Sequence, residues 1–182
     1  MATTTWVLDP SHSEINFKIK HLMISSVSGK FTDFSGSVET DEDDFNTATI
    51  EFSAAVNSIN THNEQRDTHL KAADFFDSEN HPRLQFKSTQ MERINDENYK
   101  LHGTLSIRGI SKEISLDVEF GGTTIDPWGG TRAGFAISGK INRKDFGISF
   151  SMVSETGGVL LGEEVKLSAE VELVKQAVAE LV

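Results

Sequence analysis

Apolar and polar side chains alternate with a period of two along segment after segment of this chain. In the last such segment Val165, Leu167, Ala169, Val171 and Leu173 are interleaved with Glu164, Lys166, Ser168, Glu170 and Glu172. On a pleated strand that spacing sends the first set to one face and the second to the other. The same alternation runs through Ile15/Phe17/Ile19, Ala48/Ile50/Phe52/Ala54/Val56 and Tyr99/Leu101/Gly103/Leu105/Ile107. It continues through Ile114/Leu116/Val118/Phe120 and Ala133/Phe135/Ile137/Gly139/Ile141. Many one-sided strands must share one interior, and a closed antiparallel barrel gives them one.

Turn-forming clusters punctuate the runs at Asp41-Glu42-Asp43-Asp44, Asn95-Asp96-Glu97-Asn98, Gly121-Gly122, Trp128-Gly129-Gly130 and Gly157-Gly158. Pro10, Pro82 and Pro127 all fall at junctions, where a missing N–H is harmless. Between Val27 and Val38 the alternation changes phase: Val27, Gly29 and Phe31 share one register, and Phe34, Gly36 and Val38 the other. One extra residue near Thr32-Asp33 predicts a bulge that bends a long strand. A single segment departs from the β pattern. Thr61-His62-Asn63-Glu64 reads as a capping box with Thr61 as N-cap, predicting about three helical turns to Ala73 with Arg66, Leu70 and Ala73 near one face.

With 182 residues the chain is long enough for one domain with a sizeable core. Its net charge of −11, with no basic cluster visible along the chain, argues against nucleic acid or an anionic membrane surface as partner. No apolar run approaches the length of a bilayer span, so stable membrane insertion is not expected. The opening Met-Ala-Thr-Thr-Thr-Trp lacks the basic and apolar regions of a secretory signal, which predicts a cytoplasmic protein. A mature form behind a new initiator Met would read identically and would be periplasmic. There is no cysteine, hence no disulfide and no thiolate chemistry.

Inside such a barrel, a packed core and a ligand-sized tunnel both remain open. Bulky Phe alternates with residues that fill little space, among them Gly36, Ala54, Gly103, Ala133, Gly139 and Ala169. Phe numbers 12, against 2 Trp and 1 Tyr, and aromatics without a polar handle suit a dry channel. Energy favours a hydrocarbon guest. Each buried CH₂ contributes roughly 0.8 kcal/mol, so a five-carbon isoprene unit contributes about 3–4 kcal/mol against an association cost of about 4–15 kcal/mol. Gly103 and Gly139 are then places where a Phe would block the channel.

Chemical motifs are sparse. The six histidines are scattered, and His62 and His69, taken as helical, would lie roughly 10.5 Å apart along the axis, too far to share an ion. The acidic run at Asp41–Asn46 lacks the glycine and distal glutamate of a calcium loop and reads as a solvated hairpin tip. Arg66-Asp67 and Arg143-Lys144-Asp145 read as ion pairing and capping that tie helix to strands, with a headgroup clamp or acid/base pair as the rival. No serine lies in GxSxG, and neither GxGxxG nor a P-loop is present. No catalytic residue, metal-ligand set or cofactor site is expected.

Taken in order, several of these segments resemble a known family. Trp6-Val7-Leu8-Asp9, His12-Ser13-Glu14-Ile15-Asn16-Phe17 and His21-Leu22 are similar to the opening of the YceI-like family, and Val27–Phe31 with Phe34-Ser35-Gly36 continues it. Thr61, Arg66-Asp67-Thr68-His69-Leu70, Asp74-Phe75-Phe76-Asp77, Pro82, Phe86 and Ser88 resemble its central motif. Gly103–Gly109 and Ile141–Gly147 complete a series spanning roughly residues 5 to 175. The resemblance implies an all-β fold with one short helix, an extended antiparallel eight-stranded lipocalin-like β-barrel, over residues 1–175 with a tail at 176–182. It implies non-catalytic binding, sequestration or transport of a polyisoprenoid or isoprenoid-quinone-like lipid, by a monomer or homodimer.

The residues expected to line the tunnel come from the alternation. They are Phe17, Ile19, Phe31, Val38, Ile50, Phe52 and Phe86, followed by Leu105, Ile107, Phe135 and Ile137. Leu70, Phe75 and Phe76 are expected on the helix side. An enzyme acting on an isoprenoid or fatty substrate, or an interaction module with no ligand, are the alternatives.

Overall fold

The computed structural model describes residues 2–22, 24–149 and 161–177. Its strands are β1 (Thr3–Leu8), β2 (Glu14–His21), β3 (Ser25–Phe31), β4 (Phe34–Asp41), β5 (Asp44–Ala55) and β6 (Ile59–Asn60). They continue as β7 (Arg83–Arg93), β8 (Asn98–Ile107), β9 (Ile110–Ile125), β10 (Thr131–Asn142) and β11 (Leu161–Lys175), with one helix, α1 (Glu64–Lys71). The expected Gly157-Gly158 turn and residues 178–182 of the expected tail lie outside the described residues.

Three pairs of these strands are single long strands with a kink. β1 and β2 both pair antiparallel with β11, on either side of a 3-10 turn at Pro10–His12. β3 and β4 break at Thr32–Asp33, where the phase change placed a bulge. There the Ala55 N–H donates to the Asp33 carbonyl at 2.8 Å, and the Thr32 N–H to the Ser58 carbonyl at 3.3 Å. β5 and β6 break opposite them at Val56–Ser58. Counted this way, each strand is antiparallel to the next and β11 closes on the first, giving an eight-stranded barrel. Register follows the sequence pattern: Phe17 lies opposite Leu167 and Gly29, and Phe135 opposite Val171 and Phe120.

The barrel has two unlike ends. At the terminus end lie the start of β1, the end of β11 and the β4–β5, β7–β8 and β9–β10 hairpins. At the helix end lie the β2–β3 and β8–β9 hairpins and α1.

The helix begins later and ends sooner than its sequence suggests. Asn63, not Thr61, is the N-cap, its side chain accepting from the Arg66 N–H at 3.0 Å. His62 therefore precedes the helix. Thr61 is 3% exposed, and its N–H and hydroxyl both donate to Asp67 Oδ1. A side chain committed to that buried bond is not available as a cap. After Lys71 the chain folds back, with the Phe76 N–H on the Leu70 carbonyl and the Ser78 N–H on the Lys71 carbonyl. The turn buries Phe75, which is 6% exposed, and burying such a side chain contributes about 1.5–3 kcal/mol.

Glycines on the inward faces do not create empty space. A Cβ on Gly103 would fall 2.4 Å from the Phe86 ring and 2.5 Å from the Lys87 carbonyl oxygen, and one on Gly139 would fall 2.4 Å from Leu116 Cδ2. Each absent side chain admits a neighbour's. Gly103→Phe and Gly139→Phe would displace packed atoms, and so are not clean blocks of the channel.

Candidate functional site: a tunnel inside the barrel

At the terminus end the interior is filled by aromatics. Phe45 sits 5.1 Å from Trp6, 5.5 Å from Phe120 and 4.9 Å from Phe135, ring centre to ring centre. Trp6 is 1% exposed and donates its indole N–H to Thr40 Oγ1 at 3.3 Å, so the buried polar atom is satisfied. These tilted and edge-on contacts close that end.

Beyond this plug the interior opens into a cavity of about 560 Å³, within the roughly 300–1,000 Å³ of sites that enclose small molecules. Its wall carries Phe17, Ile19, Phe31, Val38, Ile50, Phe52, Phe86, Leu105, Ile107, Phe135 and Ile137, expected from the alternation, and Leu70, Phe75 and Phe76, expected on the helix side. Ile15, Leu116, Leu167, Ala169 and Val171 also line it and follow the same period-two pattern. Phe146 and Ile148 line it too. They follow β10, outside any alternating run; Phe146 falls within the family-like Ile141–Gly147 segment, but no periodicity marks either as wall.

The charged and imidazole groups of the inner wall gather at the helix end: His21, Arg66, His69 and Arg143. Asn16, Ser37, Glu51 and Ser168 border the cavity but belong to the outward register. Arg66 is fixed to the chain entering the helix, its Nε donating to Thr61 Oγ1 at 2.8 Å and its Nη2 to the Thr61 carbonyl at 2.7 Å. Arg143 is 3% exposed and donates to the carbonyls of Gly162 and Ile148, each at 2.7 Å. Burial pushes its pKa down from the usual guanidinium value. It thereby ties the turn after β10 to the start of β11. Lys144 pairs with Glu163 at 2.8 Å, while Asp145 is exposed. Arg66, Asp67 and Arg143 thus act as fasteners.

A second charged group sits outside the barrel at the β1–β2 kink. Ligand atoms of Asp9, His12 and Glu172 lie within 4.8 Å of one another. Arg132 Nη1 already donates to Asp9 at 2.8 Å and to Glu172 at 2.9 Å, and its Nε to Asp126 at 2.9 Å. The guanidinium supplies the cation these carboxylates need. It holds Asp9 well below the usual carboxylate range and lowers Asp126, and they raise its own pKa. The Asp41–Asp44 tip is an exposed hairpin, with Asp43 paired to Lys175 at 2.9 Å.

The protein is thus an antiparallel eight-stranded barrel built around an apolar tunnel, with one end plugged and polar groups at the other. It belongs to the YceI-like domain family, whose model matches residues 6–173. It is 42% identical over 170 residues to UPF0312 protein SA2479 of Staphylococcus aureus (strain N315), covering 93% of this chain and 96% of that one. The crystal structure of the Campylobacter jejuni YCEI protein superposes with a TM-score of 0.75 at 36% identity, over 88% of this chain and 91% of that one. A polyisoprenoid binding domain from Saccharophagus degradans shares the fold at a TM-score of 0.70 and 14% identity, over 94% of this chain and 98% of that one.

Proposed function

We propose that this protein is a non-catalytic carrier that sequesters one long-chain isoprenoid lipid, a polyisoprenoid or isoprenoid quinone, inside its barrel. The observation that carries the reading is the cavity of about 560 Å³ walled by aliphatic and aromatic side chains. Water gains little in such a space. At roughly 24 cal/mol per Å³, holding so large a void empty would cost on the order of 10 kcal/mol, comparable with a domain's whole stability. A flexible hydrocarbon relieves that cost and needs no charged partner. Similarity of fold to a domain named for polyisoprenoid binding supports the same ligand class. The polar groups at the helix end make it the end for a ring or headgroup. The internal hydrogen bonds of Arg66, Asp67 and Arg143 support binding over turnover.

The test is organic extraction of the purified protein followed by mass spectrometry. A stoichiometric prenyl species is expected, and a clean extract would overturn the carrier. Ala169→Phe places a ring into the cavity from mid-strand β11 and should abolish the extracted species while the β circular-dichroism signal stays. Stoichiometric lipid in that variant would refute this assignment of the wall.

A further inference from the structure

The outer wall near the helix end carries an arrangement that stability alone does not explain. Lys140 on β10, Lys166 on β11 and Lys18 on β2 are direct cross-strand partners in one row, and all three are exposed. Like charges placed directly opposite one another on a sheet are destabilising. Among the described residues only Lys140 of the three has an ion pair, with Glu164 at 3.8 Å. The chain carries a net charge of −11, so carboxylates to neutralise this row are plentiful, yet the register brings lysines together. With Lys30 they line an open concavity of about 870 Å³ on the outside of the barrel, beside Ser28, Ser168 and the Lys100–Asp117 ion pair, whose carboxylate already has its own lysine.

The row ends close to the tunnel's polar end. Lys18 lies three residues before His21, which lines the tunnel, and Leu22 and Ile24 follow at the hairpin tip. Leu22 is 41% exposed and Ile24 84%. Cations beside a protruding aliphatic tip match an anionic bilayer, with phosphates for the ammonium groups and acyl chains for the tip. The terminus end also exposes apolar side chains, Trp128 at 86% and Ile125 at 72%. Its hairpins carry Asp41, Glu42, Asp43, Asp44, Asp96 and Glu97; the helix end has exposed carboxylates too, among them Glu64, Asp74, Glu163 and Glu164, but it also has the lysine row beside it.

We infer that the lysine row and the Leu22/Ile24 tip form a docking face that seats the helix end of the barrel on anionic membranes. Its purpose rests on the carrier reading, since a lipid carrier must meet a bilayer, but its test is separate.

Co-sedimentation with vesicles of phosphatidylcholine alone, or of equal parts phosphatidylcholine and phosphatidylglycerol, reads the docking directly. Binding is expected only to the anionic vesicles at about 0.1 M salt, and should be largely lost at about 1 M, where the Debye length falls from about 10 Å to about 3 Å. At roughly 5-fold per lysine, the combined Lys18→Ser, Lys140→Ser and Lys166→Ser protein should bind about 100-fold more weakly. Removing the repulsion should also leave its Tm unchanged or higher. Ile24→Ser should weaken binding without changing its salt dependence. Equal binding to both vesicle types, wild-type binding by the triple variant, or a lowered Tm would overturn the docking face, as would a lysine-dependent dimer that ignores vesicles. Extraction keeps the two readings apart. Vesicle binding with no extracted lipid overturns the carrier alone, and extracted lipid with no vesicle binding overturns the docking alone.

Discussion

The terminus end of the barrel is closed by a cluster of packed rings, whereas the helix end adds polar bonds to the looser contacts of Phe31 with Phe17 and Phe76. At the first, Trp6, Phe45, Phe120 and Phe135 fill the interior with rings. At the second, Thr61, Arg66 and Asp67 tie the helix to the chain entering it, and Arg143 holds backbone carbonyls. Rings stabilise in proportion to the area they bury and leave little room to move. Hydrogen bonds contribute less each, and α1 has no buried residue. The difference suggests a division of labour: stability resides in the plug, and access to the tunnel in the helix end.

The sharpest way to break that division is to remove one ring from each end. Phe45→Ala should cost about 3–5 kcal/mol in urea unfolding, because Phe45 is 6% exposed and touches three other rings. Phe76 at the helix end is only partly buried, so Phe76→Ala should cost less than half as much. A larger loss at Phe76 would place the stabilising core at the wrong end.

A smaller effect is expected at the helix. Asp67→Ala leaves the buried Thr61 N–H and hydroxyl without their acceptor, a cost of about 1–3 kcal/mol. Hydrogen–deuterium exchange should accelerate over Glu64–Lys71 and stay unchanged in β8 and β9. Faster exchange throughout the barrel would show that the helix is not a separable element.

How far the sequence discloses these features depends on whether they are periodic. Period two reports which face of a strand a residue occupies, so a closed barrel and the strand-borne side chains of its wall were legible from it, while the count of eight strands came with the family resemblance. It does not report what lies opposite. Gly103 and Gly139 read as gaps, yet the Phe86 ring and Leu116 fill them. The cap at Thr61 failed because a buried tertiary bond to Asp67 competes with local capping. The lysine row was hidden for the same reason as the glycine contacts. Lys18, Lys140 and Lys166 are far apart along an acidic chain and meet only through register. Arg132 likewise draws Asp9, Asp126 and Glu172 together from three separate segments.

That arginine cluster supplies the smallest effect, and the one that pH isolates. Asp9 and Asp126 have folded pKa values depressed chiefly by Arg132, with help from the Ser11 hydroxyl and His12 at Asp9 and from the Gly130 N–H at Asp126. A depressed carboxylate contributes stability that is fully present above its unfolded pKa of about 3.9 and is lost as pH falls through the folded value. The Tm of the wild type should therefore decline as pH is lowered through and below about 4. Arg132→Met should have a lower Tm at neutral pH and a shallower decline through the same acid range, because the depression has largely gone beforehand. The helix end lies far from this cluster, so its exchange rates at neutral pH should not change. Parallel Tm curves for the two proteins would mean that carboxylates elsewhere carry the acid sensitivity. Faster exchange in α1 would mean that the two ends are coupled through the barrel wall.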